Sequence, residues 1–221
     1  MEGILKSTRT AILMALRTLP LILISFIGFM AAGLANAGLF ILFIGQISIL
    51  PVAVYISQYV FSRIGGDPAI SPFYVKTTNV SLLVPSSRYT EMYINVAPSY
   101  WMAQIMFFFA YTITNAIEIW KLPEDKRLDK TLIANRKTKA IMIILVAVIC
   151  VIGLSTFRFL MGTDTPIGIL IATVLGGSLG YGWYVFASNC GVAASDVFGM
   201  VQQIIPFTET NEVMTCVYNP R

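Results

Sequence analysis

In a chain without a single histidine, chemistry has few possible sources. The first is a glycine-punctuated pentapeptide, Ser178-Leu179-Gly180-Tyr181-Gly182. Such a stretch can turn backbone carbonyl oxygens toward one axis, where they replace the water around a bare cation. The second is a set of side-chain amides, Gln46, Gln58, Gln104 and Asn115, each inside a long apolar run. Scattered neutral amides at membrane depth more often bond helix to helix than carry a solute. The third is Glu118, two residues before Trp120 and three before Lys121. On a helix that last spacing makes the acid and the lysine surface neighbours, so an ion pair at the membrane boundary is expected.

Other reactive constellations are missing from the sequence. Without imidazole there are no histidine metal sites and no histidine proton relays. The apolar runs hold no paired carboxylates, no phosphate loop and no cysteine-rich metal cluster. Asp164 and Asp196 read as solitary acids for which capping or solvated roles suffice. Runs such as Met106–Phe109 read as packed or lipid-facing surface. Cys150 reads as a small buried residue, and Cys190 and Cys216 as two free thiols that could pair if they face an oxidising space. No catalytic, cofactor-binding or metal-binding residue is therefore assigned, no cofactor is expected, and the chain reads as a non-enzyme.

Composition explains where these residues must sit. Of 221 residues 57% are hydrophobic and 12% charged, with a mean hydropathy of +0.76, and a soluble fold normally carries about twice that charge. The chain is polytopic. Its net charge of +4 is local, because Lys121–Lys139 holds seven of the fifteen Lys and Arg residues and only three acids. A segment like this ends the apolar runs on either side of it. It points to anionic lipid rather than to nucleic acid.

No charged residue occurs between Thr18 and Ser62. The start of this run has the form of a secretory leader, with an apolar stretch 19–30 before Ala35-Asn36-Ala37, but the segment is expected to be retained. Forty-five uncharged residues would make a helix of roughly 67 Å, more than twice the hydrocarbon thickness. A hairpin is expected, 19–34 and 37–61, with Gly33, Asn36 and Gly38 at the turn. Gly28, Ala32 and Gly33 offer small contact surfaces, and Pro51 is expected to kink the second arm. Further spans are predicted at 99–120, with Tyr100 and Trp101 at one interface and Trp120 at the other, at 140–157, and at 166–188. The last is capped by Thr165 with Pro166 at its first position and is interrupted by Gly176, Gly177, Gly180 and Gly182.

The fold expected is thus all-α and transmembrane, one domain of about five spans. A small β-containing connection, 63–98, lies between the second and third; period-two alternation at 89–96 and weaker strand signals at 73–76 and 80–84 suggest it. Asn79-Val80-Ser81 matches a glycosylation acceptor. A basic loop, 121–139, and a C-terminal part, 189–221, complete the chain. The latter begins with an amphipathic stretch carrying Val197, Met200, Val201 and Ile204 on one face, and ends at Pro206 in a polar tail. Five spans divide Lys and Arg seven against eight, and four divide them eleven against four. Charge favours four and length five, and length is preferred because backbone hydrogen bonding dictates crossings. Either way the basic loop and the tail share a side, assigned as cytosolic.

Two resemblances follow from these residues. Ser178–Gly182 resembles the Thr-Val-Gly-Tyr-Gly filter of potassium channels, although Trp183 stands where an acid usually follows. The competing reading is a packing face, with Gly176 and Gly180 four apart. The C-terminal third is similar to small polytopic membrane proteins of large icosahedral DNA viruses with an internal membrane. The residues that carry this are Leu179-Gly180-Tyr181-Gly182-Trp183-Tyr184, Gly191, Asp196-Val197-Phe198-Gly199 and Cys216-Val217-Tyr218. It implies a virion membrane or minor capsid protein whose partners are the bilayer and other capsid or membrane proteins, with no nucleic acid and no small-molecule substrate. A channel, or an accessory subunit of a cellular membrane complex, are the alternatives.

Overall fold

A computed structural model describes residues 18–67, 71–77, 92–95, 97–121, 130–160, 164–191 and 197. The chain is an all-α integral membrane protein. Helix α1 (Leu19–Gly33) turns back into α2 (Ala37–Ile44), which continues through a π-helical turn (Gly45–Ile49) into α3 (Leu50–Ile64). Strands β1 (Tyr74–Thr77) and β2 (Met92–Asn95) pair antiparallel, Tyr74 opposite Asn95. Then come α4 (Tyr100–Lys121), α5 (Lys130–Leu160) and α6 (Pro166–Asn189). Four helices are long and apolar enough to cross a membrane: residues 37–64 taken as one, α4, residues 133–160 of α5, and α6. At fifteen residues, α1 is a shorter apolar fifth, roughly 22 Å long at 1.5 Å per residue.

The hairpin forms where the sequence places it. Asn36 caps α2, its side chain accepting from the Leu39 N–H at 2.9 Å, which satisfies one of the open donors of a helix start. Ala35 takes the left-handed conformation needed to reverse the chain, with φ +48°. Of the small residues, Gly28 makes the close contact, because a Cβ there would lie 2.8 Å from the Phe43 ring. Gly33 has open space around it. Thr165 caps α6 by accepting from Gly168 N–H at 3.0 Å, and Pro166 opens the helix.

Helix α4 is the axis of the bundle. It makes its most extensive contacts with α6 and then with α5. Trp101, Met102, Ile105, Phe107 and Tyr111 on α4 are fully buried. The pair α4 and α6 run parallel and in step. A Cβ on Gly176 would lie 2.5 Å from the Ala103 carbonyl oxygen, and one on Gly180 would press into the Phe107 carbonyl oxygen. One turn further on, Tyr111 and Tyr184 meet edge to face at 5.3 Å. This spacing of four brings backbone against backbone, which is how helices gain packing energy where lipid removes the hydrophobic drive. The glycines do not interrupt α6, which is continuous from Pro166 to Asn189.

One expectation is corrected. The basic segment is not a loop throughout, since 130–139 form the first turns of α5; lysine and arginine are good helix formers, so the helix runs on past the apolar span. Trp101, expected at a membrane boundary, lies in the first turn of α4 but is 1% exposed, packed inside the bundle. At Pro51, expected to kink the second arm, the helix departs from α geometry in the π turn over Gly45–Ile49 that precedes it. Strand candidate 80–84, Asn79, Asp196, Cys216 and the tail lie outside the described residues.

Gly180→Ala should lower stability by about 1–3 kcal/mol through overpacking against the Phe107 carbonyl. Gly177→Ala and Gly182→Ala, whose Cβ atoms would meet nothing, should be neutral or slightly stabilising. Denaturant titration in mixed micelles separates the two classes.

Candidate functional site

Among the described residues, interhelical polar contacts gather in two clusters, one at an end and one in the middle. The end cluster is built on the turn between α5 and α6. Arg158 Nε donates to Asp164 Oδ2 at 2.6 Å, with the two side chains only 5% and 2% exposed. The guanidinium lies 5.0 Å above the centre of the Trp101 ring on α4, so cation–π attraction adds to the ion pair. Ser99, just ahead of α4, donates its backbone N–H to the Gly168 carbonyl at 3.3 Å. Gln58 of α3 donates to the Pro98 carbonyl at 2.9 Å. Four helices, α3 to α6, are therefore fastened at one end.

The ion pair lies at one end of an inward-facing stripe on α5. Arg136 and Arg158 both face inward on α5, at 3% and 4% exposure. They are twenty-two positions apart on one helix, roughly 33 Å at 1.5 Å per residue, close to the thickness of a bilayer core. Ala140, Ala147 and Leu154 line the same inward stripe between them. Asp164 is thus neither solitary nor solvated, contrary to the sequence expectation. Six residues separate it from Arg158, and the turn folds the acid back onto the base.

The middle cluster surrounds the π turn. Leu50 N–H donates to the Gly45 carbonyl, one residue further back than in an α-helix. The Gln46 carbonyl then loses its ordinary donor to Gly45, and the next residue along, Pro51, has no N–H to offer. Gln104 of α4 fills the gap, its Nε2 donating to the Gln46 carbonyl at 3.2 Å and to the Tyr100 hydroxyl at 2.8 Å. From α6, Trp183 Nε1 donates to the Ile41 carbonyl at 2.8 Å. Gly45 is needed beneath it, because a Cβ there would collide with the Trp183 indole. Two side-chain donors from two helices hold the second arm, one at the π turn and one in the α-helical turn before it. Interhelical bonds of this kind contribute about 0.6–2 kcal/mol in a membrane.

Gln58 and Gln104 bond helix to helix, as the sequence suggests. Gln46 does so through its backbone; its side-chain amide is fully buried, with no hydrogen-bond partner among the described residues. Asn115 faces the core from α4. Glu118 and Lys121 lie 3.7 Å apart, both more than half exposed, which is the expected boundary pair and contributes little. Ser178–Gly182 lies wholly inside α6, so its carbonyls run along a helix and do not form an extended ion filter. The Gly176 and Gly180 packing reading is the one that the geometry matches. Cys150 is half-buried, and Cys190 is exposed and free. Among the described residues no three Cys, Asp or Glu side chains converge as a metal site would require.

The Trp183 bond and the Arg158–Trp101 contact have no direct sign in the sequence, because both join distant positions. A pointer to the π turn was present in Gly45 and Pro51, six apart and flanking an amide. Comparison with protein-family models, with curated proteins and with solved structures finds no match.

Asp164→Ala should cost about 3–5 kcal/mol, because it strands a buried guanidinium. Arg158→Met combined with Asp164→Leu should recover most of that loss. Equal destabilisation by the single and the double variant in micelle unfolding would show that the pair is not coupled.

Proposed function

We propose that this protein is a non-enzymatic structural component of a membrane, a virion inner-membrane or minor capsid protein that links bilayer to protein shell. One observation carries the structural reading: the axis of the bundle is itself a helix, α4, pressed backbone to backbone against α6 at Gly176 and Gly180. Polar groups around it fasten helices together, through Arg158–Asp164, Gln58–Pro98 and Gln104–Gln46. A frame of this kind holds extramembrane segments at a fixed depth. Its partners are the bilayer, and other capsid or membrane proteins met by 63–98 on one side and by the basic segment and the C-terminal part on the other. The similarity at Leu179–Tyr184 and Gly191 to membrane proteins of large icosahedral DNA viruses supports the virion assignment.

Amine-reactive cross-linking of intact membranes, followed by mass spectrometry, tests the reading. Lys76 on one side, and Lys121, Lys130 and Lys139 on the other, should yield adducts with shell or neighbouring virion membrane proteins. Adducts confined to subunits of a cellular enzyme or transport complex would overturn it in favour of an accessory subunit.

A further inference from the structure

A groove of about 290 Å³ opens toward the lipid between α4 and α5, walled by Phe108, Phe109, Met142 and Val146, with Thr112 and Ala147 in its lining. At Ala147 a small side chain lies between larger ones, which leaves the recess. Thr112 adds no polarity, because its hydroxyl already donates to the Phe108 and Phe109 carbonyls at 3.0 and 3.1 Å. Such a surface suits hydrocarbon. With ~30 Å³ for a water-sized group, its volume matches about ten of them.

Charge selects the occupant. Lys139, Ile143 and Val146 follow one another at four- and three-residue spacings, so they share a face of α5. Lys139 is exposed and stands one turn above the groove, roughly 6 Å along the axis. A lysine there reaches the headgroup level while its stem covers apolar surface. It also belongs to the segment Lys121–Lys139, which carries all the net charge of +4. A second copy of the chain in a symmetric pair would bring an identical basic end alongside and be repelled. An anionic lipid is attracted.

We propose that the groove between α4 and α5 binds one anionic glycerophospholipid, an acyl chain lying along Phe108, Phe109 and Val146 and the phosphate held by Lys139. The site places a lipid against the central helix on the side assigned as cytosolic, where anionic lipids concentrate. It is independent of whether the protein belongs to a virion.

The full chain, purified in detergent, is offered phosphatidylglycerol or phosphatidylcholine and weighed intact with its retained lipids. One phosphatidylglycerol should be retained about fivefold over phosphatidylcholine, the size of one lysine's attraction to an anionic surface, and the preference should shrink at high salt. Lys139→Gln should abolish the preference. Val146→Phe should fill the groove and release both lipids; Val146 is 55% exposed, so the fold tolerates the larger ring, and an unchanged helical circular dichroism spectrum verifies this. Ile152→Phe, on the lipid-facing surface further along α5, should change nothing. Equal retention of the two lipids, an unaltered preference in Lys139→Gln, or a lipid-free dimer that Val146→Phe dissociates would each overturn the proposal.

Discussion

Everything in this protein rests on how closely α6 can approach α4. Between lipid-solvated helices there is no hydrophobic drive, so association depends on packing and on interhelical hydrogen bonds. At Gly176 and Gly180 the side chains have been reduced to hydrogen, and the carbonyls of Ala103 and Phe107 come into direct contact with α6. That approach sets the register in which Tyr111 meets Tyr184. It also brings Trp183 to the Ile41 carbonyl. Because α5 joins the two parallel helices, its path is dictated by theirs.

The polar groups then divide the work by depth. At one end a desolvated ion pair closes the α5–α6 turn over Trp101. Such a pair contributes specificity more than net stability, since the cost of desolvating two charges offsets much of their attraction. At mid-depth the cross-bonds are neutral, and they answer a backbone problem rather than a charge problem. Pro51 and the π turn leave the Gln46 carbonyl without a helical donor, and an orphaned carbonyl in hydrocarbon costs several kcal/mol. Gln104 is the remedy, supplied by the helix at the centre of the bundle. Arginines at the two ends of the inward stripe of α5 mark the slab between which this neutral chemistry is confined.

Much of the fold was legible because the membrane makes the rules strict. Uncharged length required the hairpin, Asn36 and Thr165 announced helix starts, and the spacing of Gly176 and Gly180 announced a packing face. What escaped reading depends on partners far away in sequence. Asp164 looks like a solvated turn residue until the turn folds it onto Arg158, and Trp101 looks like an interfacial anchor until Arg158 covers it. The start of α5 escaped for another reason: charge shows where lipid ends but not where a helix ends. Among the polar residues, Gln58 and Gln104 were recognisable as helix-to-helix ties. That Gln46 would take part through its carbonyl was not, because it follows from a register shift.

The central claim, that a packed helix and not an aqueous lumen occupies the middle of the molecule, can be measured by thiol accessibility. With the three native cysteines replaced by serine, single cysteines are placed at Gln104, Phe107, Tyr111 and Asn115 along α4. The protein in sealed vesicles is then treated from both sides with a membrane-impermeant maleimide. The account predicts that all four stay unlabelled while a cysteine at Glu118 reacts. Labelling at successive inward positions along α4 would mean that water runs through the bundle, and would contradict it.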